Sequence, residues 1–157
     1  MSDIFIKKAE EFFADIGLAK NMVLSTSLHD KVTSRMMSII IYKHKFYFQT
    51  DNSFRKYKQI RKNPHVSLCF DNVQIEGRCI ELGKPTDDLE FCELYKSCFI
   101  NSYNKYTKLE NERLFIVEPK YIQKWTYINK EPFIESFDFI TEQYRTEAYL
   151  CSDLDDK

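Results

Sequence analysis

The sequence predicts a mainly β domain of the α+β class, a closed or nearly closed antiparallel β-barrel with a few helices packed outside. Six or more strand-like segments follow one another over short turns, and only single helices interrupt them. This order differs from the regular alternation of strand and helix that is typical of parallel sheets. A chain of 157 residues with 15% aromatic residues and three glycines is most simply one well-packed domain. Within it we assign 1–130 to the barrel core and 131–157 to a C-terminal extension.

The first half of the chain is predicted to contain two helices and four strands. Apolar residues in 2–16 fall on one face at helical spacing, and Gly17 follows as a C-cap. Asn63-Pro64 ends the second helix, because the residue before a proline avoids helical geometry. The strands are expected at 21–28, 32–42, 45–50 and 65–70, with turns at 29–31 and 43–44, and the second helix at 54–62.

The second half is predicted to complete the sheet. A strand at 73–82 precedes a helix at 87–99. Two further strands are then expected, at 114–117 and 121–127, with Pro119 between them. The last predicted segments are an extended stretch at 132–139, a helix at 141–150 and a frayed acidic end at 152–157.

The overall charge gives no general attraction to nucleic acid or to membranes. The chain has 23 Lys and Arg residues against 24 Asp and Glu residues, a formal net charge of -1. Five cysteines without Cys-x-x-Cys spacing predict reduced structural thiols rather than a metal site, and Cys69 and Cys79 lie in runs that resemble buried strands. No apolar leader and no membrane-spanning stretch of about 18 residues is found, so we expect a cytoplasmic protein with no membrane partner.

The charge is nevertheless concentrated locally. Residues 52–70 contain five Lys or Arg residues and no acid. Ser53 is expected to be the helix N-cap, which places Arg55 and Lys56 in the first turn. A cation there costs about 0.3–1 kcal/mol unless an anion neutralises it. The segment therefore predicts a phosphate site; the alternatives are a solvated basic face or a nucleic-acid surface, the latter disfavoured by the balanced charge.

Several motifs occur in a fixed order around this segment. An Arg-Met-Met-Ser run begins at Arg35, and a Tyr-Phe-Gln-Thr run ends at Thr50. Ser-Phe-Arg-Lys and Gln-Ile-Arg-Lys-Asn-Pro follow, and later come a strand with Gly77 and a Val-Glu-Pro segment that leads to Trp125. In this order the chain resembles the pyridoxamine-phosphate oxidase-like family of FMN-binding split barrels, most of all its general-stress-protein branch. The resemblance covers residues 21–125.

The resemblance implies an antiparallel split β-barrel that forms a homodimer, with FMN at the subunit interface. It implies phosphate contacts from Arg35 and Lys56, with Arg55 beside them. Gln49 and Thr50 match positions that contact the phosphate and the ribityl chain. The complete set of expected FMN-binding residues is Arg35, Met36, Met37, Ser38, Gln49, Thr50, Ser53, Arg55, Lys56, Asn72 and Trp125.

The isoalloxazine ring has its own expected contacts. Residues 36–38 match the strand whose backbone runs along the ring, and only one of the two methionines can face it because strand side chains alternate. Asn72 and Trp125 match positions that approach the ring from the partner subunit. Turn or core packing is the alternative for each of these residues.

The chain departs from the true pyridoxamine-phosphate oxidases at positions that bind their substrate. Ile40 stands where those enzymes have a lysine, the helix at 90–98 is acidic, and no histidine follows His65. Vitamin B6 oxidation is therefore not expected. We expect an FMN-dependent oxidoreductase that passes electrons from a reduced nicotinamide or another donor to a small acceptor, with the chemistry carried by the flavin.

Other interpretations stay open. The protein could bind or sense flavin without turnover, or hold haem or a deazaflavin in the same barrel; haem is disfavoured because no histidine lies in an expected pocket strand. No catalytic side chain and no metal ligand is assigned. Glu110 and Glu112 are expected to be solvated loop residues.

Overall fold

A computed structural model of the protein describes residues 3–149. Within this range the helices are α1 (Asp3–Ile16), α2 (Arg55–Lys62), α3 (Leu89–Cys98) and α4 (Ile100–Tyr106), with a short 3-10 turn at Pro85–Asp87. The strands are β1 (Ala19–Leu28), β2 (Lys31–Tyr42), β3 (Lys45–Asp51), β4 (His65–Phe70), β5 (Val73–Gly83), β6 (Glu112–Ile128), β7 (Glu131–Asp138) and β8 (Gln143–Ala148).

The strands form one antiparallel sheet in the order β3-β2-β1-β4-β5-β6-β7-β8. A further pairing between β3 and β6 closes the first six strands into a barrel. The first half of β6 pairs with β3, and its second half pairs with β7, so that β7 and β8 continue the sheet beyond the barrel. The predicted mainly β barrel with external helices is confirmed.

The core has two parts because strand side chains alternate between the two faces. Ile39 and Ile41 of β2 point into the barrel, where α1 also packs with Phe12. Ile40 points outwards and packs against Phe91 of α3. The helices α3 and α4 therefore lie on the outside of the wall that β2, β3 and β6 form, and this is where the candidate site lies.

The predicted hairpin turns are confirmed. His29 and Asp30 both have positive φ (51° and 64°), as do Lys43 and His44 (53° and 58°). Two consecutive residues with positive φ are typical of the type I′ turns that match the twist of a β-hairpin. Gly17, with φ of 84°, ends α1 as predicted.

The predicted break at Pro119 is wrong, because β6 is continuous from Glu112 to Ile128. Pro119 lies opposite Gly77, at a register shift between Glu76 and Gly77 that leaves an extra residue on β6. A proline is tolerated at such a bulge because the ladder hydrogen bond is already interrupted there.

Two further expectations are wrong, and one helix was missed. The helix expected at 141–150 is wrong: 143–148 form β8, which pairs with β7. The helix α4 was not predicted, and Cys69 is exposed rather than buried. Leu150 and the acidic end at 152–157 lie outside the described residues. Among the helices of residues 3–149, none is both long and apolar enough to cross a membrane.

Candidate functional site

A cavity of about 380 Å³, which we call the site cavity, opens between the barrel wall and the external helices. Its walls come from β2, the end of β3, the start of α2, the helices α3 and α4, and the start of β6. The lining residues are Met36, Met37, Ser38, Gln49, Thr50, Asp51, Phe54, Lys56, Tyr95, Ser102, Tyr106, Leu109 and Glu112. Six of the expected FMN-binding residues are thus brought together.

The β2 wall combines an apolar side chain with a polar one. Met36 is 63% exposed and Ser38 lies two residues further on the same face of the strand. Met37 points the other way and packs against the barrel interior. The pKa of Tyr95 is raised by burial, and hydrogen bonds with Ser102 and Ser38 oppose this rise. These contacts tie α3 and α4 to β2.

The end of β3 places two buried polar side chains at the cavity. Gln49 is held in place, since its Oε1 accepts a hydrogen bond of 3.0 Å from the Thr107 hydroxyl. The Thr50 hydroxyl is different. Of the side-chain N and O atoms buried in residues 3–149, Thr50 Oγ1 is the one without a hydrogen-bond partner. Buried polar groups in proteins nearly always have a hydrogen-bond partner. The unpaired Thr50 hydroxyl therefore indicates that a ligand supplies the missing partner.

The start of α2 differs from the prediction in its cap. Phe54, and not Ser53, is the N-cap residue, and it makes no side-chain capping bond. The Ser53 amide and hydroxyl instead donate to Asp51 Oδ1 at 2.7 and 2.6 Å. Arg55 and Lys56 do occupy the first turn, where the amides already favour an anion.

Three cations lie together at this end of the barrel. The Arg35 guanidinium donates to Thr26 Oγ1 at 2.9 Å and to Thr33 Oγ1 at 2.7 Å. Burial and then the charge of Arg55 lower the pKa of Arg35, and burial and then Arg35 lower the pKa of Lys56. Across the described part of the chain, no carboxylate forms a salt bridge with any of the three cations. A bound anion would reduce the repulsion between these three cations.

Only Lys56 of the three cations borders the site cavity directly. Arg35, a residue of β2, is held by Thr26 and Thr33 and neighbours both Arg55 and Lys56 electrostatically. Arg55 borders an adjoining groove together with Lys31, Lys58 and Lys62.

Two expected ring contacts lie elsewhere in this chain. The Asn72 side chain donates to the backbone carbonyl of Trp125, and the Trp125 amide donates to the Asn72 carbonyl at 3.1 Å. The Trp125 ring packs against Tyr127 and Tyr149. Neither residue borders the site cavity. Within one chain, these two residues therefore do not contribute to the site cavity.

Glu112 is a lining residue that the sequence interpretation missed. Its expected place in a solvated loop is wrong, since it begins β6 and is only 5% exposed. Burial first, and then the neighbouring charge of Asp51, raise the pKa of its carboxyl group to about 7, against the opposing effect of Lys56. Glu110 is indeed exposed and pairs with Lys84. The two carboxylates differ because only Glu112 joins the β3–β6 ladder, a contact that local sequence does not reveal.

Comparison with known proteins gives the family. The family model described as pyridoxamine 5'-phosphate oxidase matches residues 6–126. The chain belongs to this family. A search of curated proteins finds no match.

Solved structures of several proteins share the fold. General Stress Protein 26 from Bacillus anthracis is 22% identical, with a TM-score of 0.56 over 74% of this chain and 91% of that one. A pyridoxamine 5'-phosphate oxidase-related, FMN-binding protein from Nostoc punctiforme is 13% identical, with a TM-score of 0.57 over 92% and 94%. PhzG from Burkholderia lata, solved with tetrahydrophenazine-1-carboxylic acid, is 14% identical, with a TM-score of 0.59 over 93% and 91%.

Proposed function

We propose that this family member binds FMN in the site cavity and acts as an oxidoreductase. The observation that carries the proposal is the group of three neighbouring cations, Arg35, Arg55 and Lys56, which form no salt bridge with a carboxylate of residues 3–149. A phosphate monoester carries about -1.5 to -2 charges near pH 7 and matches that group. The unpaired Thr50 hydroxyl beside it gives the ribityl phosphate chain a further donor.

The side chains present fit the rest of the cofactor as well. Met36 offers an exposed apolar, polarisable surface for a flat ring, next to the backbone of Ser38. Gln49 is already oriented by Thr107. When bound, FMN supplies the electron transfer, while the protein binds it, orients it and limits access to it.

The substrate is proposed to be a molecule other than the vitamin B6 phosphate, and the electron acceptor a small molecule. Ile40, at the position of the substrate-binding lysine, is fully buried against α3. In α3 the polar positions include Glu90 and Glu93 and a single cation, Lys96. These features supply no second phosphate site on that side of the cavity. A reduced nicotinamide or another reductant would be the electron donor.

We further propose a cytoplasmic homodimer with FMN at the subunit interface. This arrangement would let the partner subunit supply Asn72 and Trp125, which lie away from the site cavity of their own chain. A non-catalytic flavin-binding or flavin-sensing role shares the same site. Tight FMN binding without reduction by any donor would favour that second role. A barrel that holds haem or a deazaflavin would be recognised by its own absorption spectrum.

The phosphate assignment is tested by replacing both first-turn cations. Arg55→Ala combined with Lys56→Ala removes two charge-assisted hydrogen bonds, each worth about 1.5–3 kcal/mol. FMN should therefore bind at least about a hundredfold more weakly, as measured by quenching of flavin fluorescence. The fold should survive, because neither side chain belongs to the core.

A matched double variant on the same helix serves as the control. Lys58→Ala with Lys62→Ala removes the same number of charges from exposed positions outside the site cavity. Its FMN affinity should change only a few-fold, through long-range electrostatics. Equal losses of affinity in the two double variants would remove the phosphate assignment.

A further inference from the structure

Glu112 is a buried residue at the site cavity, and its carboxyl group has no fixed partner. Glu112 is 5% exposed and lies directly opposite Asp51 in the β3–β6 ladder. For the residues that the structure describes, no hydrogen bond or salt bridge holds this side chain. A buried carboxylate without a partner is unfavourable, so the group is expected to take up a proton or to pair with a ligand.

Charged and titratable groups approach Glu112 from every surrounding element. Asp51 comes from β3 and disfavours the carboxylate, while Lys56 comes from α2 and favours it. Tyr95 of α3 interacts with the Glu112 charge, and Tyr106 of α4 borders the same cavity. Lys56 is thus the cation that stabilises the ionised form of Glu112.

The next residue on the strand does not change this balance. Arg113 donates from Nη1 to the backbone carbonyls of Glu110 and Glu112, each at 2.8 Å. Its Nε lies 4.0 Å from Glu81 Oε1, at a different carboxylate. Arg113 is therefore turned away from the Glu112 side chain.

A second, independent observation marks the same part of the cavity as ligand-binding. Thr50 is 3% exposed, its hydroxyl is unpaired, and it lies next to Asp51 along β3. Thr50 and Glu112 both line the cavity. Two buried polar residues without a side-chain partner among residues 3–149 therefore border one space.

We propose that binding of FMN in this cavity is coupled to the uptake of one proton from solvent by the carboxylate of Glu112. The resulting neutral carboxyl group then donates a hydrogen bond to the ligand. This inference rests on the proposed function, because the bound phosphate and its ribityl chain supply the negative charge and the acceptor atoms.

The direction of the coupling follows from the charges. Without ligand, burial and Asp51 raise the pKa of Glu112 to about 7, while Lys56 holds it down. A phosphate that pairs with Lys56 removes this help and brings a further negative charge, so the pKa must rise again on binding. By linkage, binding takes up protons and affinity falls as the pH rises above about 7.

The experiment measures FMN affinity and proton uptake by calorimetry between pH 6 and pH 8. Each titration is run in two buffers that differ in ionisation enthalpy. Between pH 6 and pH 8, the FMN affinity of the native chain should fall about five- to tenfold more than the FMN affinity of Glu112→Gln. It should also take up between half a proton and one proton per FMN at pH 7–8, and the variant should not. The ionisation of the FMN phosphate is common to both proteins and cancels in the comparison.

Two further variants make the test sharper. Glu110→Gln changes an exposed carboxylate two residues away and should behave as the native chain does. Asp51→Asn removes the negative charge opposite Glu112 and should shift the midpoint of the pH dependence to lower pH, which tests the coupling even if Glu112→Gln does not fold.

The outcomes separate this inference from the proposed function. If the native chain and Glu112→Gln bind FMN with the same pH dependence and the same proton uptake, the coupling is wrong and FMN binding stands. If Asp51→Asn leaves the midpoint unchanged, the coupling is likewise wrong. If the native chain binds no FMN at any pH, the proposed function fails and the coupling fails with it.

Discussion

The Thr50 hydroxyl shows how a single side chain links stability to ligand binding. It is buried at the end of β3 and has no partner among the described residues. A buried donor that has lost its water and gained nothing in return costs about 1–3 kcal/mol. A ligand oxygen in the cavity would remove that cost, which is a reason to retain threonine there.

Thr50→Val is expected to have opposite effects on the free and the bound protein. Without ligand, the free energy of unfolding should rise by about 1 kcal/mol, since the unpaired hydroxyl is replaced by a methyl group. FMN affinity should fall about tenfold, because the new hydrogen bond is lost. Thermal unfolding and fluorescence titration measure the two quantities. A destabilised variant with unchanged FMN affinity would contradict this account of Thr50.

At the level of elements, the contact between β5 and β6 depends on one glycine. A Cβ atom at Gly77 would lie 2.5 Å from Val117 Cγ1 and 2.6 Å from the backbone oxygen of Glu118. The strands approach this closely at the bulge that accommodates Pro119. The bulge in turn allows β6 to serve both the barrel and β7.

Gly77→Ala should therefore destabilise the protein by about 1–3 kcal/mol, in the range of overpacked sites. Denaturant unfolding followed by circular dichroism measures the change. Adding Val117→Ala should not restore stability, because the second close contact is with backbone and because Val117 is itself a core residue. Full rescue by Val117→Ala would show that only the side chain matters.

Local sequence patterns predicted correctly the elements whose residues all favour the same conformation. The amphipathic α1 and the two tight turns were predicted because apolar spacing and turn residues agree there. The sequence 141–150, with Glu, Ala and Leu, has helical preference, yet 143–148 pair with β7, and Tyr144 donates a hydrogen bond of 2.6 Å to Glu135. Pairing partners outweighed local propensity in this case.

The candidate site was predictable only in part for the same reason. Arg35, Thr50 and Lys56 lie in short sequence motifs that resemble those of the family, so the sequence alone marked them as candidates. Glu112 contributes to the site through its pairing with Asp51, 61 positions earlier in the chain, and α4 has no buried residue that could have marked it as a helix. Long-range pairing and helix placement on the barrel wall are decided by tertiary contacts.

On the scale of the whole molecule, one outer side of the closed barrel carries exposed side chains. The outward side chains of β2, β4 and β5 include Val32, Cys69 and Arg78, all exposed. Met36 lies on the same face of β2 as Val32 and also lines the site cavity, so this exposed side reaches the edge of the cavity. The proposed homodimer, if formed over this side, would bring partner residues to the site cavity.

The most direct test of FMN binding is the visible absorption of the purified protein after it has been mixed with FMN and separated by size-exclusion chromatography. If the barrel binds FMN as proposed, the protein peak should show the absorption bands of oxidised flavin, with about one FMN per chain and the mass of a dimer. A colourless protein peak, with all flavin eluting as free FMN, would show that this barrel does not bind FMN.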